Sequence, residues 1–370
     1  MRVVVKIGSS SLNHPQGGLH DQAVARMVSA AARLRRGAIE VVIVSSGAVA
    51  AGMGKLSFTA RPVQLAERQA AAAVGQSVLM ERYSYYLGLQ ELIGAQILLS
   101  RMDLAEPARY ANAQNTLEKL LQLGVVPIIN ENDTVAVEEL CIGDNDRLSA
   151  LVAGLVHADL LVILTDVDGL CTGNPKQDRD AQIIREVEDV SQVWALAGGA
   201  GSMLGTGGMT TKLKAAEIVT RFGIGMILMN ASRLEDLEAI VTGERQEGTF
   251  FIPQKHRLTG RKRWIAYAGL SEGTITVDQG AAQALLNEGK SLLAKGIIAA
   301  EGTWERHELV RIVDLSGQEI ARGLSALNSE EILLVKGRHS EELLKMIPDV
   351  TGQEVIHRDH MTIMTDARGS

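Results

Sequence analysis

A chain of 370 residues and 39.7 kDa, 46% hydrophobic and 22% charged, is long for one core of ~100–200 residues and too apolar for disorder or a collagen-like repeat, so two domains are expected. Its net charge of −7 is concentrated in residues 271–370, which hold 10 Lys and Arg against 16 Asp and Glu, and aromatics are only 3%; both features disfavour nucleic acid as the main partner. No run nears the ~18 apolar residues of a membrane span, the apolar part of Met1-Arg2-Val3-Val4-Val5-Lys6 is short for a signal peptide, and two cysteines, Cys141 and Cys171, exclude a disulfide framework or a four-cysteine zinc site, which together predict a cytoplasmic protein without membrane contact.

The first 230 residues alternate β-branched runs with amphipathic helical patterns, which predicts an α/β fold with a mostly parallel sheet. Strands are expected at 3–7, 40–44, 93–98, 125–129, 160–164 and 226–229. Val24, Met27, Val28, Ala31 and Leu34 recur at helical spacing and form a core stripe. Polar or Gly-rich turns follow several strands: Gly8-Ser9-Ser10, Ser45-Ser46-Gly47, Asn130-Glu131-Asn132-Asp133 and Thr165-Asp166-Val167-Asp168-Gly169. In open α/β sheets such turns share the rim where ligands bind. The pattern changes near residues 249–263, which read as a linker or domain edge. Beyond it, strands are expected at 273–278, 309–313, 319–323 and 332–335 and a helix at 281–287, giving a small β-rich domain. The boundaries are a first domain at 1–260, a linker at 261–271, a second domain at 272–358 and a tail at 359–370.

Three constellations carry chemistry. The Gly-rich segment 198–208 precedes a helix opened by Met209-Thr210-Thr211-Lys212, so free backbone N–H groups and a lysine are placed for an anion. Three residues separate Gly208 from Lys212, which is not a Walker A spacing; Gly289-Lys290-Ser291 ends like one, but lacks its first glycine. Lys6 breaks an apolar strand immediately before the Gly8 turn, in a phosphate-binding context. The acid and amide clusters Asn130 to Asp133 and Gly143-Asp144-Asn145-Asp146 exceed what helix capping requires and can hold an ammonium group, orient a lysine or anchor Mg²⁺ through water. Two lysines, an anion site and carboxylates point to phosphoryl transfer. No general base stands out, which suits a carboxylate acceptor already ionised at a pKa of ~4.3. His357 and His360 lack further ligands for a metal, and no G-x-S-x-G elbow is present.

These motifs, Lys6-Ile7-Gly8-Ser9-Ser10, Ser45 to Gly52, Asn130 to Asp133, Gly143 to Asp146, Leu164-Thr165-Asp166 and Gly205 to Lys212, resemble in order those of the glutamate 5-kinases (γ-glutamyl kinases). The stretches 273–280 and 291–297 are similar to a PUA domain. The resemblance implies the amino-acid-kinase three-layer sandwich followed by a PUA-like domain. It also implies ATP-dependent phosphorylation of the side-chain carboxylate of L-glutamate, the first step of proline biosynthesis. Carried over by position, Lys6 and Lys212 stabilise the transferring phosphoryl group and Asp146 orients them. Ser46, Asp133 and Asn145 hold glutamate. Thr165, Asp166, Thr206, Gly207, Gly208, Met209, Thr210, Thr211 and Lys212, with Lys6, contact ATP. Mg²⁺ as cofactor, inhibition by proline, a homo-oligomer and a downstream glutamyl phosphate reductase are further implications. The sequence departs from the family pattern at Leu170-Cys171-Thr172-Gly173-Asn174-Pro175, where a tyrosine and Ala-Asp-Pro are common.

The alternatives are another kinase of the same family, acting on aspartate, N-acetylglutamate, carbamate or UMP, and an RNA-binding protein working through the PUA-like part. The acidic last hundred residues oppose the second. A non-catalytic amino-acid sensor would require loss of the phosphate lysines, and both are present.

Overall fold

The computed structural model describes residues 1–14, 18–58, 60, 62–135, 144–173, 178, 180–197, 208–255, 258, 260–339, 342, 345–347 and 353–364. They fall into two compact units, Met1–Leu104 with Ala108–Arg257, and Leu258–Ser370 with Ala105–Pro107.

The first unit is built on eight strands: β1 (Arg2–Ile7), β2 (Glu40–Ser45), β3 (Gly94–Leu99), β4 (Val126–Glu131), β5 (Leu160–Thr165), β6 (Glu186–Val187), β7 (Gly225–Asn230) and β8 (Thr249–Phe251). They form one sheet in the order β3-β4-β2-β1-β5-β7-β8-β6. All neighbours run parallel except β7 and β8. β4 and β5 are buried along their whole length, as expected where helices cover both faces of a parallel sheet. The helix Asp21–Arg36 turns Val24, Met27, Val28, Ala31 and Leu34 into this core. His20 caps it by accepting the Ala23 N–H at 3.1 Å, and Arg33, Arg35 and Arg36 complement the dipole in its last turn. The chain leaves β1 toward β2 and β4 on one side and crosses back from β4 to β5 on the other, so the strand order reverses at β1, where a crevice is expected at the C-terminal edge.

Two further helices, Ala48–Lys55 and Leu65–Leu89, pack with almost no separation. A Cβ at Gly52 would fall 1.8 Å from the Ala71 carbonyl oxygen, and one at Gly75 would fall 1.8 Å from that of Ala48. Only glycine permits this approach, and it draws the longer helix beneath the ends of β2 and β4.

In the second unit, β9 (Gly273–Val277), β11 (Ile297–Gly302), β12 (Leu309–Val313), β13 (Glu319–Leu324) and β15 (Met361–Ile363) form a sheet ordered β11-β9-β12-β13-β15; β10 (Leu292–Leu293) and β14 (Glu354–Ile356) form a second pair. Ile275, Val277, Leu285, Val310, Ile312, Ile320 and Trp304 make its core. The Trp304 indole donates to the Leu327 carbonyl at 3.0 Å.

Four expectations change. Residues 332–335 lie in a helix, Ser329–Val335, because Asn328 and Glu331 form a reciprocal capping box and only Ile332 and Val335 of the apolar run are buried. Thr249–Phe251 is not linker but strand β8, with Thr249 and Phe251 buried. The stretch 261–271 carries helical turns at Gly260–Arg263 and Trp264–Ala268. Residues 361–363, expected in the tail, pair with β13.

Candidate functional site

The C-terminal ends of β1, β2, β4 and β5 bring the rim turns together. Lys6 lies on β1, where its neighbours are buried strand residues. Asp146 lies in the first turn of the helix Asn145–Leu155, whose N-cap, Asp144, accepts the Arg147 N–H at 2.9 Å. Lys212 lies in the first turn of the helix Met209–Arg221, which starts after Gly208.

These three charges meet. Lys6 Nζ is 2.6 Å from Asp146 Oδ1, and Lys212 Nζ is 3.2 Å from Oδ2. The Thr211 hydroxyl donates to Oδ2 at 2.7 Å. Lys6, Asp146 and Lys212 are 7%, 1% and 6% exposed. Burial alone would raise the Asp146 carboxyl, but the charges of Lys6 and Lys212, with hydrogen bonds from Lys6 and Thr211, hold it below its ordinary value. Within the triad two cations face one anion, so each ammonium keeps hydrogen-bonding capacity for a phosphoryl group, while Asp144 and Asp166 line the same cavity.

Beside the triad lies an amide network. Asn145 Nδ2 lies 2.8 Å from Ser46 Oγ, 3.0 Å from Asn130 Oδ1 and 3.1 Å from the Ser45 carbonyl, so its two hydrogens are shared among three acceptors. Asn130 Nδ2 donates to Gln76 Oε1 at 3.0 Å. One turn pair further along the same helix, the Tyr83 hydroxyl is 3.0 Å from Ser45 Oγ, and burial pushes the Tyr83 phenol up.

Two adjoining cavities open here. One of about 520 Å³ is lined by Ser9, Ser10, Asn13, His14, Ser46, Gly47, Asn130, Glu131, Asp133 and Asn145, among others. The other, about 400 Å³, is lined by Lys6, Gly8, Asp144, Asp146, Thr165, Asp166 and Lys212, and it shares Ser9, Ser10, Ser46 and Asn145 with the first. Burial raises the Asp133 carboxyl, opposed by the Arg68 charge, and burial likewise raises Asp144. The Thr165 hydroxyl donates to Asp166 Oδ1 at 3.1 Å.

The structure therefore gathers Lys6, Asp146 and Lys212 at one point, Ser46, Asp133 and Asn145 on the larger cavity, and Thr165 and Asp166 on the smaller. Gly208, Met209, Thr210 and Thr211 begin the lysine-bearing helix. Thr206, Gly207, Cys141, Asn174 and Pro175 lie outside the described residues. The Cys171 backbone pairs with Ile183 in an isolated antiparallel β-bridge, its thiol is free, and burial with the nearby Asp168 charge raises that thiol. His357 and His360 stack edge to face at 5.9 Å; among the described residues no three His, Cys, Asp or Glu side chains are placed to hold a metal. Sequence reasoning missed Gln76 and Tyr83, buried in an Ala-rich helix whose passage beneath the site no local pattern reveals. It also missed Asn13, whose buried Oδ1 has no partner among the described residues.

Comparison with known proteins follows the same division. Residues 1–230 match the model of the amino acid kinase family and residues 273–347 that of the PUA domain. A glutamate 5-kinase of Desulfitobacterium hafniense (strain Y51) is 62% identical over 365 residues, covering 99% of both chains. One of Moorella thermoacetica is 46% identical, covering 98% of this chain and 96% of its own. One of Cyanothece sp. (strain PCC 7425) is also 46% identical, covering 98% and 99%.

Proposed function

This chain belongs to the amino acid kinase family, in its glutamate 5-kinase branch, and from that premise we propose how its residues divide the work. The reaction is phosphorylation of the L-glutamate side-chain carboxylate by ATP, which opens proline biosynthesis. A carboxylate oxygen forms a bond to the γ-phosphorus as the bond from that phosphorus to the β,γ-bridging oxygen breaks. The products are L-glutamyl 5-phosphate and ADP.

Glutamate occupies the 520 Å³ cavity, with Ser46, Asn145 and Asp133 around it, and the ATP phosphates occupy the 400 Å³ cavity. The observation that carries this assignment is the Lys6–Asp146–Lys212 bridge, which lines the smaller cavity, while Ser9, Ser10, Ser46 and Asn145 line both cavities and make them neighbours. The attacking carboxylate needs no base because it is ionised at neutral pH. What it needs is relief from repulsion by the triphosphate. Lys6 and Lys212 supply it, and they favour the charge that builds on the transferring and leaving oxygens. Asp146 keeps the two ammonium groups a carboxylate's width apart. Thr165, Asp166 and the start of the Met209–Arg221 helix contact the nucleotide.

Mg²⁺ enters as part of the nucleotide substrate. Asp146 is engaged by both lysines and Asp144 caps a helix, a donor set that fits an ion carried by phosphates and water. When bound, the ion neutralises phosphate charge. Among the described residues no helix is long and apolar enough to cross a membrane; a cytoplasmic location is part of the proposed reading. The same reading extends to inhibition by proline at the larger cavity, assembly with further copies, and transfer of product to a glutamyl phosphate reductase. Trapping with hydroxylamine in the presence of ATP and Mg²⁺ tests the reaction: hydroxamate forms with L-glutamate, whereas equal or greater yield with L-aspartate overturns the assignment.

A further inference from the structure

The amide network has a polarity that can be worked out from one fixed point. The Ser45 backbone carbonyl can only accept, so the Asn145 atom 3.1 Å away is Nδ2. The Asn130 atom that faces Nδ2 at 3.0 Å is then Oδ1, so the other end of Asn130 is its donor. The Gln76 atom 3.0 Å from that donor is therefore Oε1. Gln76 and Asn130 are 8% and 3% exposed, and Gln76 Nε2 is buried without a partner among the described residues. Gln76 thus spends one end on Asn130 and nothing on the other.

That single contact has consequences at the larger cavity. Without an acceptor from Gln76, Asn130 would hold a buried, unpaired NH₂ group, an arrangement costly enough to turn or displace the side chain. Asn145 would then lose one of its acceptors. With the chain intact, Asn145 directs Nδ2 inward and keeps Oδ1 as an acceptor, suited to an α-ammonium. Ser46 Oγ receives the Asn145 N–H and keeps its own proton for a carboxylate. Gly75, locked against the Ala48 carbonyl, fixes the height of the neighbouring Gln76.

Resting on the glutamate reading above, we infer that Gln76 is a positioning residue that sets the amide orientations of Asn130 and Asn145 and thereby selects the α-amino-acid end of the substrate. It touches no substrate atom and acts through Asn130.

The test compares Gln76→Met, which removes the acceptor, with Gln76→Glu, which keeps one. In Gln76→Met the KM for glutamate rises about tenfold while that for ATP stays within about twofold. Gln76→Glu recovers most of the loss. Glutarate, which lacks the α-amino group, is affected less than glutamate by Gln76→Met. Side-chain amide NMR supplies a readout independent of the reaction: the Asn130 and Asn145 NH₂ signals shift and exchange faster in Gln76→Met, and much less in Gln76→Glu. Unchanged amide signals, or equal rises in both KM values that track a lower unfolding midpoint, overturn the inference. If the amides respond but the unmodified enzyme forms no glutamyl hydroxamate, the relay stands and the substrate assignment fails.

Discussion

Gly75 stands so close to Ala48 that a Cβ added to it would lie 1.8 Å from the Ala48 carbonyl oxygen. Replacing a helical glycine by alanine ordinarily stabilises by up to ~1 kcal/mol. Here the clash is with backbone, which cannot rotate away, so overpacking wins and Gly75→Ala destabilises by about 1–3 kcal/mol. Gly88, in the same helix, has nothing within 4 Å of the added Cβ. Gly88→Ala therefore raises the unfolding midpoint where Gly75→Ala lowers it, and opposite signs in paired thermal melts check the argument.

The buried Asp146 carboxylate makes a second prediction, about acid. Its folded-state pKa lies below the ordinary value of 3.8, so the unfolded chain takes up this proton first. The stability Asp146 contributes is complete above that ordinary value and is lost as pH falls through the lowered one. Asp146→Asn leaves two lysines facing each other without a counter-charge and costs about 3–5 kcal/mol near neutral pH. The deficit narrows in strong acid, which denaturant titrations at several pH values would reveal.

Asp133 shifts the other way, raised by burial. It takes up a proton at a higher pH than an ordinary aspartate, so glutamate affinity weakens on the acid side as Asp133 is neutralised. The KM for glutamate rises as pH falls through this raised value. Asp133→Asn raises KM at neutral pH and flattens the acid limb; a limb of unchanged slope would contradict the placement of Asp133.

In the second unit, a Cβ at Gly273 would meet the Trp304 ring at 2.3 Å. Trp304 is 2% exposed and tied to the Leu327 carbonyl, so it has little room to yield. Gly273→Ala lowers the unfolding midpoint, by about 1–3 kcal/mol of stability, and differential scanning calorimetry measures it.

Legibility in the sequence followed the physics of each signal. The central strands stood out because burial on both faces makes them continuous Val, Ile and Leu runs. The rim residues stood out because Lys6 interrupts such a run and because Asp, Asn and Gly clusters follow others. Thr249–Phe251 was hidden by its length of three residues. The helix at Ser329–Val335 was masked by Ile332 to Val335, which read as a strand, although Asn328 and Glu331 three apart already formed a helix-start signal. Gln76 and Tyr83 left no trace: their partners, Asn130 and Ser45, are 54 and 38 residues away, and only the close helix contact at Gly52 and Gly75 brings them into register.

The central claim is that Lys6 and Lys212, held by one carboxylate, stabilise the moving phosphoryl group. Single-turnover transfer from ATP to glutamate, measured for Lys6→Ala and Lys212→Ala alongside equilibrium glutamate binding, tests it most directly. Each variant is expected to slow transfer by about 10²–10³-fold while glutamate binding changes only a few-fold. Transfer at the unmodified rate in either folded variant would contradict the account.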